Sequence, residues 1–209
     1  MSEIDTLVLD LGDVLVRWDP RRALVGRLPD VEVRAFLDDF DFRTFNVGQD
    51  AGRSWADGRA LLRATAPHLV PAMDMFVEHF ADTLVGPVPG MASVVQDATD
   101  AGLRLLGLTN WSAETFHLAE PAAPAIGLLE DVVVSGREGV AKPDPRIFDL
   151  LATRHGVDPG RAVFVDDSPA NVAAARAYGF DAVLFTSAQH LRAELDVRGI
   201  ALGSRPPAR

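Results

Sequence analysis

The sequence has no cysteine among its 209 residues. Disulfide bonds, thiolate nucleophiles and cysteine-based zinc sites are therefore excluded. It also lacks the run of about 18 uncharged apolar residues that a membrane-spanning helix needs. The acidic segment 1–5 does not have the composition of a signal peptide. We therefore expect a cytoplasmic protein that does not act at a membrane.

Basic residues are few, and almost all of them are arginines. The sequence has 20 Lys and Arg residues against 30 Asp and Glu, which gives a formal net charge of −10 at pH 7. This charge repels nucleic-acid phosphates at long range, so we expect no nucleic-acid partner. Lys142 is the only lysine. Either it persists by chance, or its compact ammonium group does something that a planar guanidinium cannot do.

Short apolar runs alternate with helical patterns over much of the chain. Five of the runs are typical of strands covered on both faces of a parallel sheet: residues 7–9, 105–108, 132–134, 162–165 and 182–185. Helical patterns lie between them, near residues 91–101, 144–156 and 168–179. The last two each have a capping residue, a proline at the first helical position and a glycine past the end. The alternation predicts an α/β fold with a doubly wound parallel sheet.

The stretch between residues 16 and 85 breaks this alternation. It shows helical patterns near residues 20–27, 31–40, 54–66 and 71–84, without a convincing strand between them. We therefore expect a core formed by residues 1–15 and 86–202, with a four-helix insert over residues 16–85. Residues 203–209 have nothing to bury, and we expect them to be disordered.

Polar residues follow three of the predicted strands. Asp10 follows the first, Thr109 and Asn110 follow the second, and Asp166 and Asp167 follow another. Ligands of open α/β sheets bind beyond the carboxyl ends of the strands, where these side chains should meet. Three carboxylates would repel one another there unless a cation neutralised them. Since oxygen ligands of this type suit Mg²⁺, the sequence predicts a magnesium site.

Four sequence motifs occur in order along the chain, at residues 7–15, 108–110, 142–145 and 164–171. Together they resemble the haloacid dehalogenase-like hydrolase superfamily over nearly the whole length. The opening Asp-Leu-Gly-Asp-Val-Leu is most similar to small sugar-phosphate phosphatases of the α-glucose-1-phosphatase type, with the phosphatase domain of soluble epoxide hydrolases as a near relative. The resemblance implies a Rossmann-like core, a helical cap and Mg²⁺-dependent hydrolysis of a small phosphorylated metabolite, such as a sugar phosphate.

The resemblance also implies catalytic roles. Asp10 would be the nucleophile that forms an aspartyl-phosphate, which a carboxylate can do because it is already ionised at neutral pH. Thr109 would donate its hydroxyl to a phosphoryl oxygen, together with the backbone N–H of Asn110. Lys142 would offset the negative charges of Asp10 and of the phosphoryl group. These roles favour a functional reason for the single lysine.

The metal site implied by the resemblance uses few side chains. Asp10, the backbone carbonyl of Gly12 and Asp167 would hold the Mg²⁺ ion. Asp166 would lie behind these ligands, and Asn171 would orient the lysine. The five histidines show no spacing typical of metal ligands.

Gly12 departs from the pattern of the superfamily. Most of its phosphatases have an aspartate there, as general acid for the leaving group and base for water. Such help is typically worth about 10²- to 10⁴-fold in rate. Asp13 is the nearest replacement, although it could equally be a turn residue that caps the loop.

Two other functions stay open. A halide leaves without a proton, so a metal-free 2-haloacid dehalogenase would not miss an acid at Gly12. The carboxylates of Asp166 and Asp167 would, however, oppose a carboxylate substrate. The second alternative is a non-catalytic protein that binds a phosphometabolite.

The insert is expected to cover the site, exclude water and select the substrate. Candidate substrate contacts are Arg17 and Trp18 on the hinge side, and residues 41–49 in the insert. Arg43 is the strongest candidate among them, because a basic group facing a phosphate would help an otherwise acidic protein. We expect the protein to be a monomer or a homodimer.

Overall fold

The computed structural model of the protein describes residues 4–203. Apart from Gly203, the tail expected to be disordered lies outside these residues. The described residues form strands at β1 (Thr6–Leu9), β2 (Val16–Trp18), β3 (Leu84–Pro87), β4 (Arg104–Thr109), β5 (Asp131–Val134), β6 (Ala162–Asp166) and β7 (Asp181–Leu184). Five of them build one parallel sheet in the order β5-β4-β1-β6-β7.

Both faces of the central sheet are covered. Every residue of β1 and β6 is buried, as expected for parallel strands between two layers of helices. Two apolar clusters lie in the core, and β1 contributes Leu7 and Leu9 to one and Val8 to the other. The predicted α/β fold with a parallel sheet is therefore confirmed.

The register of the sheet places the strand ends side by side. Leu9, the last residue of β1, pairs with Gly107 of β4 and with Val165 of β6. The residues that come after these three positions therefore emerge at the same edge of the sheet. They include Asp10 and Asp166.

Helices flank the sheet and fill the insert. Their bounds are α1 (Asp30–Arg34), α2 (Phe42–Asp50), α3 (Trp55–Thr65), α4 (Val70–Glu78), α5 (Met91–Asp100), α6 (Ala119–Ala122), α7 (Ser135–Glu138), α8 (Pro145–His155), α9 (Pro169–Tyr178) and α10 (Ala188–Val197). The predicted capping of α8 is present, because the Asp144 side chain accepts a hydrogen bond from the Arg146 N–H at 2.9 Å. Gly156 ends this helix with a left-handed φ of 61°.

The insert differs from its prediction in three places. The pattern at residues 20–27 forms only a short 3₁₀ helix, Pro20–Ala23. Strands β2 and β3 pair antiparallel at the two ends of the insert, although the sequence shows no convincing strand after residue 16. Helix α2 is not predicted, because its threonine, asparagine, valine and glycine are poor helix formers. The division into a core and a cap domain stays a prediction.

Aromatic side chains form the centre of the insert. Phe42 is fully buried and lies 4.8 Å from Phe36 and 4.5 Å from Phe76, measured between ring centroids. These rings belong to the same apolar cluster as Leu7 and Leu9 of the sheet. The insert is therefore packed onto the core through a continuous apolar interface. Within residues 4–203, the chain forms no helix with the length and hydropathy of a membrane span.

Candidate active site

Lys142 lies at the carboxyl edge of the sheet, fully buried between two carboxylates. Its Nζ donates to the Leu108 carbonyl at 2.6 Å and to Asp166 Oδ2 at 2.7 Å. It also lies 2.9 Å from Asp10 Oδ1. Three short contacts to oxygen use the three N–H groups that an ammonium can donate. The sheet thus brings together the residue that follows β1, residues of β4 and β6, and the loop before α8.

The electrostatics of this cluster are those of a buried and incompletely neutralised site. Burial raises the pKa of Asp10 to about 7, and the nearby Asp166 adds to the rise, whereas Lys142 opposes it. Burial alone would lower the pKa of Lys142, but the charges of Asp10 and Asp166 raise it above its ordinary value. The lysine therefore stays protonated, and the carboxylates attract a further positive charge.

Asp166 has its hydrogen-bonding capacity occupied by the protein. It accepts from Lys142, from the Ser168 N–H at 2.8 Å, and from Asn171 Nδ2 at 3.0 and 3.1 Å. Asn171 touches Asp166, so any effect of Asn171 on the lysine passes through this carboxylate. Asp166 is thus suited to fix the lysine, and it leaves ligand binding to its neighbours.

The carboxylates gathered at this edge of the sheet also fit a divalent cation. One carboxylate oxygen from each of Asp10, Asp166 and Asp167 lies within 4.8 Å of the others. Asp10 Oδ1 accepts from the Leu11 N–H at 2.7 Å, whereas Oδ2 accepts no hydrogen bond within residues 4–203. Burial, together with the charges of Asp166 and Asp13, raises the pKa of Asp167. A hard cation with oxygen ligands would relieve this repulsion, so the donor set fits Mg²⁺.

Thr109 ends strand β4 beside the cluster. Its hydroxyl is buried and makes no hydrogen bond with any described residue. A buried polar group without a partner costs about 1–3 kcal/mol, unless a ligand supplies one. Asn110 is fixed by two bonds of 2.8 Å to the backbone of Lys142, one to its carbonyl and one from its N–H. The Thr109 hydroxyl therefore lacks a partner that a ligand bound at the cluster could supply, whereas the Asn110 side chain holds the lysine loop in place.

Asp13 has a clear structural task. It adopts a left-handed φ of 54°, and its Oδ1 accepts a hydrogen bond from the Trp18 N–H at 2.9 Å. This contact joins the loop after β1 to strand β2. Asp13 also lines the cavity in front of the cluster.

A cavity of about 190 Å³ opens between the sheet edge and the insert. Its walls are formed on the sheet side by Gly12, Asp13, Asn110, Trp111, Ser112, Thr115 and Asp167, and on the insert side by Trp18, Arg43, Asn46, Asp50, Trp55 and Phe80. Arg43 lies with its guanidinium carbon 5.2 Å from the centroid of the Trp18 ring. Of the other predicted contacts, Phe42 lies in the core of the insert.

Asp50 and Trp55 are cavity residues that the sequence analysis missed. Asp50 is the last residue of α2, where the helix dipole disfavours an acid. That position would have drawn attention to it if the helix had been predicted. Burial raises the pKa of Asp50 to about 7, although a hydrogen bond from Asn46 and the charge of Lys142 oppose the rise. The Trp55 indole N–H is buried and has no hydrogen-bond partner among the described residues.

Replacing Asp50 with asparagine is expected to stabilise the metal-free protein in a pH-dependent way. A raised pKa means that ionisation of Asp50 costs stability in the folded state. This cost is small near pH 4, grows between the unperturbed value of 3.8 and the folded value of about 7, and is complete above it. A shift of this size corresponds to at most about 4 kcal/mol.

Urea unfolding of both proteins at pH 4 and pH 8 measures the effect. Asp50→Asn should raise the free energy of unfolding at pH 8 and leave it nearly unchanged at pH 4. The matched control is Asp39→Asn, at a side chain of the insert that is 66% exposed. An equal gain at both pH values would contradict the assigned pKa.

Comparison with known proteins identifies relatives over most of the chain. Residues 4–179 match the haloacid dehalogenase-like hydrolase family. A phosphoglycolate phosphatase from Caulobacter vibrioides is 32% identical over 190 residues, which cover 86% of this chain and 78% of that protein. A drimenol cyclase from Aspergillus calidoustus is 25% identical over 92% of this chain, which spans only 36% of the cyclase. A mouse acyl-CoA dehydrogenase family member is 33% identical over 54% of this chain and 11% of its own length.

Solved structures share the fold. A haloacid dehalogenase family enzyme from Bacteroides thetaiotaomicron has a TM-score of 0.72 at 19% identity, over 93% of this chain and 99% of that chain. The L-2-haloacid dehalogenase from Xanthobacter autotrophicus has a TM-score of 0.61 at 21% identity, over 95% of this chain and 84% of that chain. Residues 4–179, which match the family, contain all four sequence motifs. From this match, and from the strand-end cluster at Asp10, we conclude that the chain belongs to the haloacid dehalogenase-like hydrolase family.

Proposed function

We propose that the protein is a Mg²⁺-dependent phosphomonoesterase that hydrolyses a small phosphorylated metabolite through an aspartyl-phosphate on Asp10. The observation that carries this proposal is the strand-end cluster. It combines a carboxylate with one free oxygen, a buried ammonium group and an unpartnered hydroxyl. Together they provide a nucleophile, a counter-charge and a phosphate-binding donor at one place.

In the first step, the transfer of the phosphoryl group to Asp10, each residue of the cluster has its own role. Asp10 Oδ2 attacks phosphorus, while Oδ1 is held by the Leu11 N–H and by Lys142. The Thr109 hydroxyl donates to a phosphoryl oxygen, and the Lys142 ammonium offsets the charge that gathers there. Water then attacks the phosphorus of the aspartyl-phosphate and regenerates Asp10.

The proposed Mg²⁺ site lies next to the nucleophile and the lysine. Asp10, Asp167 and the backbone carbonyl of Gly12 would hold a Mg²⁺ ion, which when bound neutralises phosphoryl charge and orients the phosphate. Two solved structures of the Bacteroides thetaiotaomicron enzyme contain magnesium together with inorganic phosphate. Both oxygens of Asp166 already accept hydrogen bonds from the protein, so its role is to hold Lys142 in position.

The cavity in front of the cluster would hold the part of the substrate beyond the phosphate. Its volume is about 190 Å³. Phosphoglycolate phosphatases from three bacteria are among the relatives. A sugar phosphate is the class that we favour, because hydroxyl groups would match the polar side chains Asn46, Asp50 and Ser112 of the cavity.

A phosphatase panel tests the proposal. Phosphate release from 2-phosphoglycolate, sugar phosphates and nucleotides is measured with Mg²⁺ and with a chelator, and chloride release from 2-chloropropionate is measured beside it. We expect release of phosphate that the chelator abolishes and excess Mg²⁺ restores. Chelator-insensitive chloride release would instead establish a dehalogenase. Binding of a phosphate mimic without turnover of any phosphoester would establish a non-catalytic protein.

A further inference from the structure

Position 12 is glycine, although neither space nor backbone conformation requires it. Apart from its chain neighbours, no atom lies within 4 Å of where a Cβ on Gly12 would be. The φ angle of Gly12 is not positive. A carboxyl side chain would therefore fit at a place where this chain has none. An acid that protonates the leaving group has to come from another wall of the cavity.

Asp13 is poorly suited to this task. Its Oδ1 is engaged by the Trp18 N–H, and its left-handed backbone belongs to the turn that leads into β2. Movement of the side chain toward a substrate would break the contact that fixes this turn. The acid is better sought among the cavity residues that the insert provides.

Asp50 lines the cavity on the insert side, and one of its carboxylate oxygens is unused. Its Oδ2 accepts a hydrogen bond from Asn46 Nδ2 at 3.1 Å. Within residues 4–203, Oδ1 accepts no hydrogen bond, and Asp50 forms no ion pair. A partly buried carboxyl group that borders a cavity and has a free oxygen can donate a proton to a bound ligand.

The backbone of Asp50 is tied to the phosphate-binding loop. The Ser135 hydroxyl donates to the Asp50 carbonyl and accepts from the Trp111 N–H at 3.0 Å. Trp111 comes directly after Thr109 and Asn110. The end of α2 is therefore held two hydrogen bonds away from the loop that would bind the phosphoryl group.

The surroundings of Asp50 favour a proton on its carboxyl group. Since its pKa is raised to about 7, a large fraction of the group is protonated at neutral pH. The other charged side chains that line the cavity are Asp13, Arg43 and Asp167, and Lys142 acts on Asp50 from the sheet. Trp55, whose buried indole N–H has no partner among the described residues, lines the same cavity.

We propose that Asp50 is the general acid and base of the reaction and replaces the carboxyl group absent from position 12. The inference rests on the proposed phosphatase function. In the first step, the Asp50 proton passes to the leaving alcohol oxygen as its bond to phosphorus breaks and Asp10 Oδ2 bonds to phosphorus. In the second step, the Asp50 carboxylate takes a proton from water as the water oxygen bonds to phosphorus and Asp10 leaves. The products are the alcohol and inorganic phosphate, and Asp50 is again protonated.

Leaving-group dependence tests this role. The p-nitrophenolate ion leaves without a proton, whereas the alkoxide of glycerol 2-phosphate needs one. For Asp50→Asn we expect kcat/KM on glycerol 2-phosphate to fall by about 10²-fold or more, and on p-nitrophenyl phosphate by less than about 10-fold. Circular dichroism of each variant checks that the fold is retained.

A second variant supplies the missing acid in its usual place. Gly12→Asp combined with Asp50→Asn should recover at least about 10-fold of the lost glycerol 2-phosphate activity, because the new carboxyl can protonate the same oxygen. Asp39→Asn, at an exposed side chain of the insert, is the matched control and should keep both activities.

The possible outcomes distinguish an error in the role of Asp50 from an error in the proposed phosphatase function. Equal losses on both substrates, or full activity on both, would overturn the role of Asp50 and leave the phosphatase intact. If the parent protein hydrolyses no phosphomonoester, the proposed function itself is overturned.

Discussion

Replacing Asp10 with asparagine is expected to reduce phosphate release by at least about 10⁴-fold. Asparagine has nearly the same size as aspartate, but its neutral amide oxygen is too weak a nucleophile to form the aspartyl-phosphate. The fold should persist, because the substitution removes a carboxylate whose ionisation burial already disfavours. Lys142 keeps its bonds to Asp166 and to the Leu108 carbonyl.

Initial rates of phosphate release at saturating Mg²⁺ measure this effect, with circular dichroism as the check on folding. Asp39→Asn makes the same chemical change at an exposed position and should retain the parent rate. Substantial turnover by a folded Asp10→Asn protein would refute the assignment of the nucleophile.

Replacing Lys142 with arginine is expected to impair both activity and stability. The Nζ atom occupies a fully buried position among three oxygens. A guanidinium is larger and planar, so it cannot direct donors to all three without moving the strand ends. We expect kcat/KM to fall by at least about 10²-fold, as when other charge-stabilising donors are removed. Overpacking should lower the free energy of unfolding by about 1–3 kcal/mol.

The control for this prediction is the reverse substitution, arginine to lysine, at an exposed position. Arg146→Lys alters an ion pair with Asp144 in which the arginine side chain is 76% exposed, so activity and stability should hardly change. Near-normal kinetics of Lys142→Arg would mean that the single lysine of the sequence persists by chance.

The sheet could be predicted because each of its strands is a short apolar run, and three of these runs end in polar residues. Helices α8 and α9 were likewise marked by a proline at the start and a glycine at the end, although the predicted capping residue Ser168 makes no side-chain capping bond in α9. Strand β2 carried no such signal, since only Val16 of its three residues is buried and its partner β3 is distant in sequence. The pairing of β2 with β3 depends on how the whole insert folds, and the local sequence pattern carries no information about that.

The sheet side of the candidate site could also be predicted, whereas the insert side could not. Asp10, Lys142 and Asp166 converge because parallel strands end together, which is a consequence of topology alone. Asp50 and Trp55 reach the cavity only because α2 and α3 dock on the sheet edge. That docking depends on tertiary contacts, such as the hydrogen bond from the backbone N–H of Trp55 to the Glu114 carboxylate at 2.8 Å. Residue spacing cannot show which insert residues face the phosphate.

A single-turnover experiment with enzyme in excess tests whether Asp10 carries the phosphoryl group during the reaction. The parent protein and Asp10→Asn are mixed with a phosphomonoester that the panel shows to be a substrate, and the reaction is quenched in acid. Mass spectrometry of the peptide that contains Asp10 should then detect a phosphoryl group on Asp10, which depends on Mg²⁺ and is absent from the variant. Release of phosphate from the parent protein without a phosphoryl group ever appearing on Asp10 would show that Asp10 is not the nucleophile.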